Sequence, residues 1–265
     1  MAFHLDEREL EQMDRDGYVV RERAFSADEV AAMVEASEEL VAGLMEGAKG
    51  RRFAVGSYTF EADLLDLVVL KWEGDLDVLH GIEPLAHLSE DLERWGLDPR
   101  FTEPMVAFTG DPNPVLFTEK LNLKRPFHGG PNPLHQDHPY WIDGNPHADR
   151  IATAIVYLDD TTRENGCLEV VPGSHKAGTH PRRADGDAFG RLEMDPVANA
   201  HMERVPVEVP AGSVVLFGAF LAHATGPNTT DQDRRALLYS YQPAGHPHSL
   251  EALRTLFARS PRTSS

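Results

Sequence analysis

Cysteine is nearly missing from this chain, and low-complexity tracts, long apolar runs and any surplus of positive charge are missing altogether. The one cysteine, Cys167, has no partner for an intrachain disulfide, which excludes a stapled secreted scaffold and points to a reducing cytoplasm. It sits in the strand-like run Gly-Cys-Leu-Glu-Val-Val and reads as a buried packing residue rather than a nucleophile. The longest apolar run, Val214 to Ala222, has about half of the ~20 residues a membrane-spanning helix needs. The opening Met1-Ala-Phe-His-Leu-Asp-Glu-Arg is too polar for a signal peptide, so a soluble, cytoplasmic protein is expected. With 43 acidic against 25 basic residues and a formal charge of −18, the long-range field opposes nucleic acid and anionic membranes. A local cationic pocket for an anionic small molecule is compatible with that field. No repeat or linker divides the 265 residues, so one domain spanning 1–265 is expected, with monomer and homodimer equally open.

What is present changes character along the chain. Residues 1–110 read as mainly helical support. Asp6 to Asp16 is charged and helix-favouring, and Gly17-Tyr-Val-Val20 reads as a short strand. Ser26-Ala-Asp-Glu29 is a capping box opening a helix to near Met45, with Val30, Met33, Val34, Leu40, Val41 and Leu44 on its apolar stripe. Residues 48–75 are ambiguous, and helices are predicted over 84–95 and 100–109.

From 111 to 245 the pattern turns to short β-branched and aromatic runs separated by turn formers: 115–124, 151–158, 168–171, 205–209, 214–217 and 235–241. Helices followed by strands imply an α+β fold, an antiparallel double-sheet, jelly-roll or cupin-like barrel backed by N-terminal helices. The strand-poor stretch 176–204 reads as a lid, and Ser249 is expected to cap a short C-terminal helix carrying Leu250, Leu253, Leu256 and Phe257 within 246–265.

The chemistry is concentrated in Pro133-Leu-His-Gln-Asp-His-Pro-Tyr-Trp141 and Leu221-Ala-His-Ala-Thr-Gly-Pro-Asn228. On an extended strand, residues i and i+2 share a face, so His135 and Asp137 can reach one ion while Gln136 points away. His223, after the strand-like Val214 to Phe217, supplies a third ligand. Two imidazoles and a carboxylate on one face of an octahedron suit iron(II) and leave positions for a chelating co-substrate and dioxygen. A dicarboxylate co-substrate needs its far carboxylate held. Arg234 or Arg235 can do so, and because they face opposite sides of one strand, only one points inward. Lys120, Asn122 and Lys124 also share one strand face. His138 falls on the strand face opposite the ligand pair and borders the substrate side at most. His175 reads as a turn residue, and His128 as a loop residue without a spacing argument. A two-zinc hydrolase pattern would require histidine where Pro133 stands.

These motifs, with Arg163-Glu-Asn-Gly-Cys-Leu-Glu-Val-Val-Pro-Gly-Ser-His175 between them and Asp16-Gly-Tyr-Val-Val and Phe25-Ser-Ala-Asp-Glu-Val before them, resemble the phytanoyl-CoA dioxygenase family over most of the chain. The resemblance implies a double-stranded β-helix, iron(II), 2-oxoglutarate and dioxygen. It makes His135, Asp137 and His223 the iron ligands and Arg234 the residue that binds the far carboxylate of 2-oxoglutarate. It places Thr225 beside that co-substrate and Lys120 and Asn122 along its pocket, with Tyr140 and Trp141 as aromatic substrate contacts. Related halogenases replace the carboxylate ligand with a small residue, so Asp137 favours hydroxylation of a small metabolite, amino-acid-derived or a natural-product intermediate, with release of succinate and carbon dioxide. Desaturation, cyclisation, epimerisation and acyl-CoA hydroxylation use the same cofactors and stay open. A cupin-like metal enzyme without 2-oxoglutarate would share the barrel and triad but leave Arg234 without a role, and a non-catalytic metal-binding sensor would keep the ligands yet show no oxygen uptake with any substrate.

Overall fold

The computed structural model describes residues 3–47, 51–55, 58–63, 68–73, 78–142, 145–185 and 192–251. α1 (Glu7–Asp16) begins at a reciprocal cap between Asp6 and Glu9 and ends at Gly17, whose φ of 86° and contact with the His175 ring leave no room for a side chain. β1 (Tyr18–Arg21) follows, then α2 (Ala27–Gly47), which opens at the expected Ser26/Glu29 box and buries the expected stripe.

Residues 51–83 form an antiparallel meander: β2 (Arg51–Val55), β3 (Tyr58–Asp63), β4 (Val68–Glu73) and β5 (Leu79–Glu83). The described residues of the ambiguous stretch are therefore strands, and the helical support of residues 1–110 carries strands of its own. The predicted helix over 84–95 is a short 3₁₀ turn (Ala86–Leu88) and then α3 (Glu90–Gly96), restarted by the Ser89 cap; α4 (Pro99–Thr109) ends at Gly110.

The remaining elements are β6 (Val115–Lys124), β7 (Asn132–His135), the single turn α5 (His138–Trp141), β8 (Ala152–Tyr157), β9 (Leu168–Val170), β10 (Val205–Val207), β11 (Val214–Gly218), β12 (His223–Thr225) and β13 (Arg234–Gln242). They build two antiparallel sheets, one of nine strands in the order β1-β11-β8-β13-β6-β5-β4-β3-β2 and one of four in the order β10-β9-β12-β7.

Two cores explain why β8 is apolar on both faces. Ala152, Ala154 and Val156 join α2, α3 and α4 in the larger core outside the barrel, while Ile155 and Tyr157 pack inside it with Leu168, Val170 and Phe217. The same alternation along β13 sends Leu237, Tyr239 and Tyr241 outward and Ala236 inward. Tyr239 and Tyr241 donate their buried hydroxyls to the carbonyls of Leu92 and Gly96, fastening α3 to the sheet. At the C-terminus the cap is one residue earlier than expected: Leu250 N donates to His248 Nδ1, Ser249 is already helical, and residues 252–265 lie outside the described residues.

Candidate metal centre and co-substrate pocket

His223 on β12 lies directly across the ladder from His135 on β7, which is how two distant motifs meet. The rings stand 4.2 Å apart between centroids. Each histidine has its Nδ1 against a backbone carbonyl two residues earlier, His135 with Pro133 O at 2.8 Å and His223 with Leu221 O at 2.9 Å. Donation there leaves both Nε2 atoms as lone-pair donors turned toward Asp137. Those Nε2 atoms stand 3.8 and 3.9 Å from Asp137 Oδ1, and one donor atom from each residue lies within 4.8 Å of the others. Two atoms each bonded to one ion at about 2.1 Å are at most about 4.2 Å apart, so both carboxylate–imidazole separations fit a single metal ion.

The extended-strand geometry expected for His135 and Asp137 is only half present. β7 ends at His135, and Asp137 has helical dihedrals (φ −73°, ψ −32°) as the residue before α5. Its side chain makes no capping bond and turns to the histidines instead. Gln136 enforces the turn. Buried between the ligands, it donates to the carbonyls of Gly178 (2.9 Å) and Phe220 (2.6 Å) and accepts from His180 N (2.8 Å). His138 consequently belongs to the helical turn rather than to an opposite strand face, and stacks on Phe220 at 4.4 Å. His175 lies in a 3₁₀ turn and His128 is exposed, both away from the cluster.

Burial, reinforced by His223, holds the His135 pKa well below its ordinary value, so the ring is neutral and ready as a ligand. Burial raises Asp137, while His223 and Lys120 pull it back.

The question of which arginine points inward is settled by their neighbours. Arg235 faces the outer core and is bound by Asp159 (2.7 Å) and Glu38 (3.1 Å). Arg234 faces the barrel interior, is 3% exposed, lies beside the Tyr157 ring, and its Nε has no hydrogen-bond partner. Among the described residues no carboxylate lies within ion-pair distance of it. A buried guanidinium left so is costly unless an anion completes it.

Thr225, on the same short strand as His223, accepts from Asn132 N at 3.3 Å. Lys124, on the same strand face as Lys120 and Asn122, is already engaged by the backbone. Its ammonium donates to three carbonyls, Gly129 (3.3 Å), Gly130 (2.6 Å) and Gly226 (2.7 Å), while burial and Arg234 push its pKa down to about 6.

Asn122 looks across Gly81 toward Lys71 of β4, where the missing side chain leaves the space open. Lys71 is a site residue the sequence reading missed. It donates to Asn132 Oδ1 at 3.1 Å, and burial, then Lys120, push its pKa down to about 7. The signal was the two-residue alternation Leu70-Lys71-Trp72-Glu73 within an otherwise ambiguous stretch.

Lys120 is ion-paired with Glu83 at 2.9 Å. Tyr140 meets the His135 ring edge-on at 5.7 Å, and Trp141 meets Phe117 at 5.6 Å. Phe117 was also missed. It occupies a bulge in β6 opposite Ser240/Tyr241, which turns its side chain to the same side as Thr118. Cys167 is buried as expected, and burial pushes its thiol up to about 11.

The comparisons agree with this chemistry. The family model described as phytanoyl-CoA dioxygenase (PhyH) matches residues 13–236. A probable alpha-ketoglutarate-dependent hypophosphite dioxygenase of Stutzerimonas stutzeri is 29% identical over 90% of this chain and 78% of its own length. The ectoine dioxygenase of Sphingopyxis alaskensis is 27% identical over 84% of this chain and 71% of its own. Among solved structures, EctD from S. alaskensis with bound iron superposes with a TM-score of 0.69 and 26% identity, covering 90% of this chain and 77% of that one. The chain belongs to the phytanoyl-CoA dioxygenase family and is an iron- and 2-oxoglutarate-dependent dioxygenase.

Proposed function

We propose that the protein hydroxylates an unactivated C–H bond of a small metabolite, amino-acid-derived or a natural-product intermediate, with His135, Asp137 and His223 holding iron and Arg234 holding 2-oxoglutarate. Iron with 2-oxoglutarate and dioxygen supplies the oxidising power, one oxygen atom entering the substrate and the other leaving in succinate as carbon dioxide is released.

The chain's own residues set the conditions. The carbonyls of Pro133 and Leu221 fix which nitrogen of each histidine faces the ion. Arg234 gives the far carboxylate of 2-oxoglutarate two parallel charge-assisted bonds, with Thr225 beside it. Asn122 and Lys71 line the same inner row of the barrel. Tyr140, Trp141 and Phe117 form an apolar wall that keeps water from the reacting carbon.

The segment 176–204 covers this end of the barrel in the same reading. Met194 N donates to Leu134 O and His180 N to Gln136, so both roots are tied to the residues flanking His135. Residues 186–191 of it lie outside the described residues. No helix among the described residues is long and apolar enough to cross a membrane, and the acidic surface disfavours nucleic acid.

The observation that carries the reading is the pairing of the His-Asp-His cluster with a buried, inward arginine that has no protein carboxylate. A substrate-triggered succinate assay tests it. Succinate and a product heavier by one oxygen should form in equal amounts, and oxygen uptake without succinate would contradict it.

A further inference from the structure

Glu83 and Lys120 form an ion pair at 2.9 Å. They sit at neighbouring positions of β5 and β6, beside the paired residues Ile82 and Leu121. Ile82 and Leu121 point to the outer core, so Glu83 and Lys120 face the barrel interior. The pair is accessible, with side chains 35% and 39% exposed, while its neighbours are fully buried. Thr118 Oγ1 donates to Glu83 Oε1 at 3.1 Å and orients that carboxylate. Although burial opposes it, Glu83 and then Asp137 hold the Lys120 pKa above its ordinary value. Phe117, from the same stretch of β6, packs against Trp141 of α5.

Arg234 lies farther along the same inner face, four residues down the paired strand register from the partner of Lys120. Lys120 and Arg234 are therefore separate anion positions. The family resemblance sets Lys120 along the co-substrate pocket, but one dicarboxylate chelating iron and reaching Arg234 has no third carboxylate for it, which leaves Lys120 to another ligand.

We propose that Lys120 and Glu83 are the substrate-recognition pair, and that the substrate is a small zwitterion carrying both an oxyanion (carboxylate or phosphonate) and an ammonium group. This rests on the dioxygenase reading above and names its substrate class.

Charge balance carries the argument. An oxyanion that took Lys120 alone would strip Glu83 of its cation in a cavity that also holds Asp137 and the dicarboxylate, leaving an unpaired carboxylate. A cation that took Glu83 alone would strip Lys120. A zwitterion exchanges one internal ion pair for two intermolecular ones and leaves neither group unpaired. The Phe117/Trp141 wall adds the π-faces that favour an ammonium neighbour. A neutral or purely anionic metabolite has no such exchange to offer.

The test uses iron- and 2-oxoglutarate-loaded enzyme and a panel of free amino acids and aminoalkylphosphonates, read first by stimulated succinate formation. The best zwitterion is then compared by anaerobic calorimetry with its N-acetyl derivative, which lacks the cation, and its amide, which lacks the anion. Each derivative should bind at least tenfold more weakly to the wild type. The amide penalty should vanish in Lys120→Met and the N-acetyl penalty in Glu83→Gln, with Lys120→Arg retaining the wild-type order. Binding of 2-oxoglutarate, followed by its anaerobic charge-transfer band with iron(II), should stay within twofold in all three variants. Stimulation by no zwitterion, equal binding of the derivatives, or loss of the 2-oxoglutarate band in Lys120→Met would each overturn the proposal. Absence of that band in the wild type would instead sink the dioxygenase reading itself.

Discussion

At the end of the ladder where Lys124 of β6 pairs with Arg234 of β13, the two faces treat positive charge in opposite ways. On the outer face Arg125 and Arg235 are saturated by the protein's own acids, Glu38 serving both, Asp233 binding Arg125 and Asp159 binding Arg235. On the inner face Arg234 and Lys124 stand next to each other in the paired register, yet no described carboxylate lies within ion-pair distance of either. Lys124 is satisfied by carbonyls and Arg234 is not. A chain carrying 18 more negative than positive charges has acids to spare, so an unmatched inner arginine is not a shortage of partners. For the two arginines of β13, the difference separates a structural cation, whose anion is built in, from a binding cation, whose anion arrives with the ligand.

The largest effects should come from the cluster that the inner face serves. His223→Ala or Asp137→Ala should lower iron-dependent succinate formation by on the order of 10³-fold or more, the scale on which loss of a catalytic group acts. Metal analysis after gel filtration should show the iron gone, and a variant that keeps both iron and activity would detach the cluster from the chemistry.

Stability sharpens the same contrast. Arg235→Met breaks a part-buried pair and should cost about 1–2 kcal/mol in chemical denaturation, between the values for exposed and buried pairs. Arg234→Met should cost nothing or stabilise the ligand-free protein, because it removes a buried charge that lacks an anion. Equal losses in the two variants would erase the distinction between the faces.

A further contrast concerns pH. The folded pKa of Lys71, about 7, is below its ordinary 10.5, so between those values the unfolded chain binds a proton that the folded one lacks. Its contribution therefore makes the ligand-free protein more stable as pH rises through that window, by at most about 1.4 kcal/mol per unit. Denaturation of wild type and Lys71→Met at pH 7.5 and 9.5 checks this: the rise attributable to Lys71 should be absent from the variant, and identical pH dependence would show Lys71 to be charged throughout.

The metal ligands were legible because their types and order carry the chemistry, and because a long strand signal before His223 fixed its context. Their local geometry was not, since nothing in His135-Gln-Asp137 announces that the strand ends at His135; that depends on loops 178–180 and 220 grasping Gln136. The meander over 51–83 was obscured for a physical reason. β4 does alternate, with Val68, Leu70 and Trp72 on one side and Lys71 and Glu73 on the other, but this six-residue signal stands alone: β2 opens on the charged pair Arg51-Arg52, and β5, Leu79-His-Gly-Ile-Glu83, does not alternate. Lys71 and Glu83 were hidden with it. By strand alternation alone Arg234 and Arg235 were alternatives; the family resemblance named Arg234, and Asp159 and Glu38, which occupy Arg235, lie too far away in sequence to have been read as its partners.

The account is tested most directly by anaerobic titration of 2-oxoglutarate into iron(II)-loaded wild type, Arg234→Met and Arg235→Met, read by the visible charge-transfer band. Two charge-assisted hydrogen bonds at about 1.5–3 kcal/mol each predict at least ~100-fold weaker binding for Arg234→Met and no change beyond twofold for Arg235→Met. Equal affinities for Arg234→Met and wild type, or a larger loss in Arg235→Met, would contradict it.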